Sequence, residues 1–266
     1  MSDRLSPIAR AFGAARAQGR AALIPYFTAG YPTTAICREA LRSAERAGAD
    51  IVEIGIPFSD PLADGPTIQR STQAALEQGM TVAGVLELVR DAALRVPVVL
   101  MTYLNPVLAY GVDRFLADAA AAGVSGLLCT DLPGGADPGV DRAVSASTLD
   151  LIRLVAPTTP DERLPGALAG GGGFVYFISR LGVTGARPDA PPDLERHIRR
   201  LRVVTRLPIA VGFGIGTPAQ AAEAARWADG IVVGSALVEA LGTGGLAAAE
   251  HLLLGLVDAL RVRGAA

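Results

Sequence analysis

Glu53 interrupts an apolar run in the stretch Asp50 to Pro66, DIVEIGIPFSDPLADGP. On an extended strand Ile51, Glu53 and Gly55 share one face while Val52 and Ile54 share the other. Stripping water from a carboxylate costs several kcal/mol or raises its pKa, so an interior Glu reads either as a carboxyl satisfied by a hydrogen bond near the strand end or as a group kept there for use. The chain then leaves the strand through a proline-punctuated loop that holds Asp60 and Asp64. Asp64, between Ala63 and Gly65-Pro66, reads either as a turn residue or as the second carboxylate of an acid–base pair. Asp60, ahead of Pro61, reads as a loop-surface residue.

Absences narrow the chemistry. All 24 positive residues are arginine, which removes Schiff-base catalysis, pyridoxal phosphate anchoring and a P-loop lysine. The only histidines, His197 and His251, fall in helical patterns, and Cys37 and Cys129 read as small buried hydrophobes. No metal site is expected from such scattered ligands. Acid–base work is left to carboxylates, tyrosine or the backbone. A net charge of −2 without a basic stripe argues against nucleic acid as a partner. No run reaches the ~18 uninterrupted apolar residues of a membrane span. Residues Met1 to Arg20 show no signal-peptide pattern, so a cytoplasmic location is expected.

Two glycine clusters and one loop complete the candidates. Gly212-Phe213-Gly214-Ile215-Gly216 follows one apolar run and Gly234-Ser235 follows the next. Glycines let backbone N–H groups approach phosphate oxygens, and a helix N-terminus completes such a cradle without lysine. Arg180 to Ala186, with glycines on both sides of Val183-Thr184, reads as a lid or as a plain surface loop. Tyr176 alternates with Phe174 and Ile178, which turns its hydroxyl toward an interior where it needs a partner.

These residues need a scaffold that gathers strand ends. Half of the 266 residues are hydrophobic, as suits strands buried on both faces. Candidate strands are Ala22–Thr28, Ile51–Ile54, Pro97–Tyr103, Gly126–Thr130, Leu149–Val155, Phe174–Ser179, Pro208–Val211 and Gly230–Val233. Candidate helices between and after them are Thr33–Ala47, Val82–Leu94, Gly111–Ala122, Pro138–Ala146, Asp161–Ala169, Pro192–Thr205, Pro218–Trp227 and Ala247–Arg261. Strict alternation without a linker predicts one α/β domain over residues 1–266, a single (β/α)8 TIM barrel. An extra N-terminal helix, Pro7–Ala17, and extra helices after strands two and eight, Thr67–Gln78 and Ala236–Leu241, complete it. An open doubly wound sheet is the competitor, but Thr28-Ala29-Gly30-Tyr31-Pro32 is not a dinucleotide turn. Barrel catalysis occurs at the C-terminal strand ends, where Glu53 and the loop bearing Asp64 fall. The run Gly170–Gly173 has no evident chemical purpose.

In order along the chain, EIGIPFSDPLADGPTIQ, Tyr103 with Asn105-Pro106, Thr130-Asp131-Leu132-Pro133, Ala156-Pro157-Thr158-Thr159-Pro160, GFVYFISRLGVTGA, GFGI and GSALV closely resemble the tryptophan synthase α-subunit family. The resemblance spans essentially the whole chain. It implies a lyase that cleaves indole-3-glycerol phosphate to indole and glyceraldehyde 3-phosphate. It implies no cofactor in this chain, and a pyridoxal phosphate-dependent β subunit as partner in an αββα assembly. Glu53 matches the general acid–base, and Asp64 the carboxylate that holds the indole N–H. On this reading a buried Glu53 is protonated while an exposed Asp64 stays ionised. Tyr176, Tyr26, Met101, Tyr103, Leu128, Val155 and Thr184 match the substrate pocket. Gly185, Gly214, Gly234 and Ser235 match the phosphate binders, and Pro57 and Asp60 the loop that faces the partner. A free-standing lyase and a non-catalytic barrel that activates a partner remain the competing expectations.

Overall fold

The computed structural model describes residues 5–178, 193–212 and 214–261. Among the described residues nine parallel strands run in chain order: β1 (Ala22–Thr28), β2 (Val52–Gly55), β3 (Val98–Thr102), β4 (Val124–Cys129), β5 (Asp150–Leu151), β6 (Arg153–Val155), β7 (Val175–Ile178), β8 (Ile209–Gly212) and β9 (Gly230–Val233). The sheet order is β5-β4-β3-β2-β1-β9-β8-β7-β6. Because only Ile152 separates β5 from β6, the two ends of this sheet belong to one crossing of the chain. The sheet closes as an eight-position barrel, as alternation in the sequence predicts.

Eleven α-helices surround it among the described residues: α1 (Pro7–Ala17), α2 (Thr34–Ala47), α3 (Pro66–Glu77), α4 (Val82–Ala92), α5 (Leu104–Tyr110), α6 (Val112–Ala122), α7 (Pro138–Ala146), α8 (Leu164–Leu168), α9 (Leu194–Val204), α10 (Pro218–Ala225) and α11 (Ser235–Arg261). Their starts follow local chemistry. Ser6, Thr33, Thr81, Asp137 and Thr217 each accept a backbone N–H as N-cap, and Thr217 with Gln220 closes a capping box.

Strand alternation divides the core in two. Leu23, Phe27, Val52, Ile54, Val211 and Val233 pack outward against the helices. Ile24, Tyr26, Ile51, Val99, Met101, Leu128, Phe174 and Tyr176 pack inside the barrel. Helix α1 lies across the N-terminal strand ends, where Ile8, Phe12 and Ala15 join the interior residues. The Phe12 and Phe174 rings meet there at 5.5 Å.

Several boundaries differ from expectation. The fifth strand is split at Ile152, and the segment expected as one helix from Asp161 becomes a 3₁₀ turn (Asp161–Arg163) followed by α8. Helix α5, directly after β3, had no sequence forecast. The two last helices form one assigned element, α11, with a non-helical Gly245 at φ 67° between them. This helix is long and apolar enough to cross a membrane, but it packs on β1, α2, α3 and α10 as a core helix of the barrel.

The glycine run before β7 has a packing cause. A Cβ on Gly172 would fall 2.9 Å from Asp150 Oδ1, and one on Gly171 would fall 3.0 Å from Arg153 Cγ. Gly173, at φ +65°, would meet Asp150 and Ile8. The chain passes here too close to two charged side chains to carry side chains of its own.

Candidate active site

Glu53 lies inside β2, in register with Tyr26 of β1 and Val99 of β3. It is 1% exposed. Among the described residues neither of its carboxylate oxygens has a hydrogen-bond partner. Burial, and secondly the charge of Asp64, raise its pKa from 4.5 to about 8. Near neutral pH Glu53 therefore holds a proton inside an apolar chamber.

Asp64 is not the exposed carboxylate that the sequence reading expects. It is 6% exposed, because α3 begins two residues later and folds the loop down onto the barrel mouth. The Tyr103 hydroxyl donates to Asp64 Oδ2 at 3.2 Å, and Gln69 Nε2 donates to the Asp64 carbonyl at 2.8 Å. Burial raises the Asp64 pKa from 3.8 to about 6, against the lowering effect of the Tyr103 hydrogen bond. The expected protonation pattern survives by a narrower gap: at neutral pH Asp64 is mainly ionised and Glu53 mainly protonated. Two nearby carboxyls set to opposite states are the signature of divided acid and electrostatic roles.

Two tyrosines wall the chamber. A Cβ on Gly55 would fall 2.0 Å from the Tyr26 hydroxyl oxygen, and one on Gly212 would fall 2.3 Å from that of Tyr176. Each ring thus lies across the glycine of a neighbouring strand, and any side chain there would displace it. Burial holds both phenols well above their ordinary pKa, so they stay neutral. Met101 and Leu128 face the interior as expected. Val155 does not: it packs in the outer layer with Phe177, and alternation along β6 turns Leu154 inward instead.

Of the expected phosphate binders, Gly234 and Ser235 lie where β9 passes into α11. The Gly234 carbonyl accepts the Leu237 and Val238 amides, and a Cβ on Gly234 would approach Tyr26 Cδ1 to 3.3 Å. The first N–H groups of a helix lack internal partners and favour an anion. Gly214 follows β8 with φ +83°. Thr184 and Gly185 lie outside the described residues. Pro57, expected to face a partner, is buried in this chain just after Ile56, whose amide is still bonded to the Met101 carbonyl at 2.9 Å. Asp60 is exposed as expected.

Sequence reasoning missed a buried hydroxyl chain. Ser71 Oγ donates to the Ile68 carbonyl at 2.9 Å and lies 2.7 Å from Thr28 Oγ1, which is 3.5 Å from the Tyr26 hydroxyl. It ties α3 to β1 beneath the loop that bears Asp64. The signal was available: Ser71 falls on the same helical face as Ile68 and Ala75, a polar residue in an apolar stripe. Among the described residues no group of three His, Cys, Asp or Glu could hold a metal ion.

A family model described as tryptophan synthase alpha chain matches residues 12–253. The tryptophan synthase alpha chain of Acidiphilium cryptum is 51% identical over 243 residues, covering 90% of this chain and 88% of that one. That of Picosynechococcus is 43% identical over 263 residues, covering 96% and 100%. Among solved structures, one of Mycobacterium tuberculosis tryptophan synthase superposes with a TM-score of 0.91 at 42% identity, covering 97% of this chain and 100% of that one. The alpha subunit from Legionella pneumophila gives 0.88 at 34% identity, covering 97% and 99%.

Proposed function

Since the chain belongs to the tryptophan synthase alpha chain family, we propose that Glu53 and Asp64 divide the proton and charge work of its reaction between them. The protein is a carbon–carbon lyase that cleaves indole-3-glycerol phosphate to indole and glyceraldehyde 3-phosphate, and its partner is a tryptophan synthase β subunit. The observation that carries the residue assignment is the buried, unpartnered Glu53 inside the barrel, its pKa raised above that of Asp64.

Cleavage needs indole C3 to become a leaving carbon. Protonated Glu53 delivers its proton to C3, and the ring nitrogen takes up the positive charge. Asp64, as an anion accepting the indole N–H, stabilises that charge where it develops. Glu53, now a carboxylate, removes the proton from the adjacent glycerol hydroxyl. The C–C bond breaks, its electrons restore the indole ring, and the aldehyde forms. Glu53 ends protonated, as it began, so no external proton is consumed. Proton transfer suffices, and this chain needs no cofactor for the reaction; pyridoxal phosphate belongs to the β subunit.

The phosphate would sit on the backbone of Gly214, Gly234 and Ser235; Gly185 and Thr184, outside the described residues, are assigned to phosphate binding and to the substrate pocket by family resemblance alone. The loop after β2 bears Phe58 and Leu62 (81% exposed) on either side of exposed Asp60, and α5 after the next strand bears Leu108 (48% exposed). Such a surface suits the β subunit in an αββα assembly.

Steady-state cleavage of indole-3-glycerol phosphate, with and without β subunit, tests the assignment. Cleavage should be slow alone and faster with the partner. Glu53→Gln keeps the side-chain volume but has no proton to give; turnover should fall by about three orders of magnitude or more while substrate still binds. Near-normal turnover in that variant would overturn the role given to Glu53.

A further inference from the structure

We infer that Tyr103 is a positioning residue for this reaction, its hydroxyl holding Asp64 and the loop that bears it against the barrel mouth. The inference rests on the reading of Asp64 as the anion that accepts the indole N–H.

One oxygen makes both contacts. The Tyr103 hydroxyl donates to Asp64 Oδ2 at 3.2 Å and accepts the Ala63 amide at 2.9 Å, so two consecutive loop residues are fixed from the end of β3. Within the loop the backbone bonds are local, from the Leu62 amide to the Asp60 carbonyl and from the Asp64 amide to that of Pro61. They shape the turn but do not tie it to the barrel. The Tyr103 ring also packs on Phe58 at the loop's start, with centroids 5.3 Å apart. Tyr103 therefore grips the segment at both ends, by its ring at residue 58 and by its hydroxyl at 63 and 64.

The bond also sets the charge of Asp64. Ionisable groups bear on it from four directions: Glu53 on β2, Tyr26 on β1, Tyr103 after β3 and Tyr176 on β7. Burial keeps the three phenols neutral, so Glu53 is the one that titrates alongside. The Tyr103 hydrogen bond stabilises the anion against the burial that disfavours it. Without the hydroxyl, Asp64 must gain its proton at higher pH, and less of the enzyme is competent near neutrality.

The test is Tyr103→Phe in the full chain, assayed with β subunit, beside Asp64→Asn. Phenylalanine keeps the ring on Phe58 and removes only the hydroxyl. The expected result is a kcat lower by about tenfold, the size of a hydrogen bond to a charged group, with KM for indole-3-glycerol phosphate within about twofold. The acid limb of the kcat/KM profile should move up by about one pH unit. A purely structural role would lower the melting temperature and leave that limb in place, which overturns the inference. A raised KM with normal kcat makes Tyr103 a substrate contact and also overturns it. Substantial turnover by Asp64→Asn sinks both the inference and the reading beneath it. A slow Asp64→Asn beside a normal Tyr103→Phe sinks the inference alone.

Discussion

At the N-terminal end of the barrel, just ahead of β2, Asp50 accepts both terminal nitrogens of Arg20, at 2.6 and 2.8 Å, and the Leu23 amide at 2.8 Å. Asp229, just ahead of β9, accepts the Ile209 amide at 2.8 Å and pairs with Arg202. Three residues beyond Asp50, toward the other end, Glu53 has no such partner among the described residues. The same residue class, three positions apart, does opposite work. Paired acids at the lower end bridge neighbouring strands and stabilise the closed sheet. The unpaired acid at the upper end weakens the fold and is ready to exchange a proton.

The largest expected effect sharpens this contrast through stability. In the unfolded chain the Glu53 carboxyl ionises near 4.5, whereas in the fold it stays protonated to about 8. The native state therefore loses stability as pH rises between those values, by an amount on the order of 5 kcal/mol at the top of the range. Glu53→Gln removes that loss. Denaturant unfolding should find the variant several kcal/mol more stable than the parent at pH 8 and close to it at pH 4.5. An equal difference at both values would break the contrast.

Asp50→Asn should act in the opposite direction. It strips a partly buried ion pair of one partner and should cost about 2–3 kcal/mol at neutral pH. Turnover per folded molecule should match the parent. A fall in kcat at temperatures where the variant is fully folded would show that the two ends are not separable. Gly173→Ala is the smallest of the three. At φ +65° an alanine costs about 1–2 kcal/mol, and the contact with Asp150 adds to it. A lowered melting temperature with unchanged KM is expected; altered substrate affinity would make the glycine run part of the site.

The barrel was legible because its strands are buried on both faces: β1 and β9 fall at the residues expected, and Glu53 faces inward with Ile51. What escaped depended on contacts distant in sequence. Asp64 reads as a solvated turn residue until Tyr103, 39 residues later, covers it. Val155 and Leu154 are both apolar, so composition could not say which faced inward. The break at Ile152 carries no glycine or proline to announce it. The glycine run reads as idle in the sequence because its cause, the side chains of Asp150 and Arg153, belongs to β5 and β6.

Helix α1 adds a consequence for traffic. With Ile8, Phe12 and Ala15 set into its floor, the barrel is a cup rather than a pipe. Among the described residues the floor below Glu53 is closed, so indole freed there leaves toward the rim that carries the Asp64 loop. Whatever covers that rim therefore governs how freed indole divides between the neighbouring subunit and solvent.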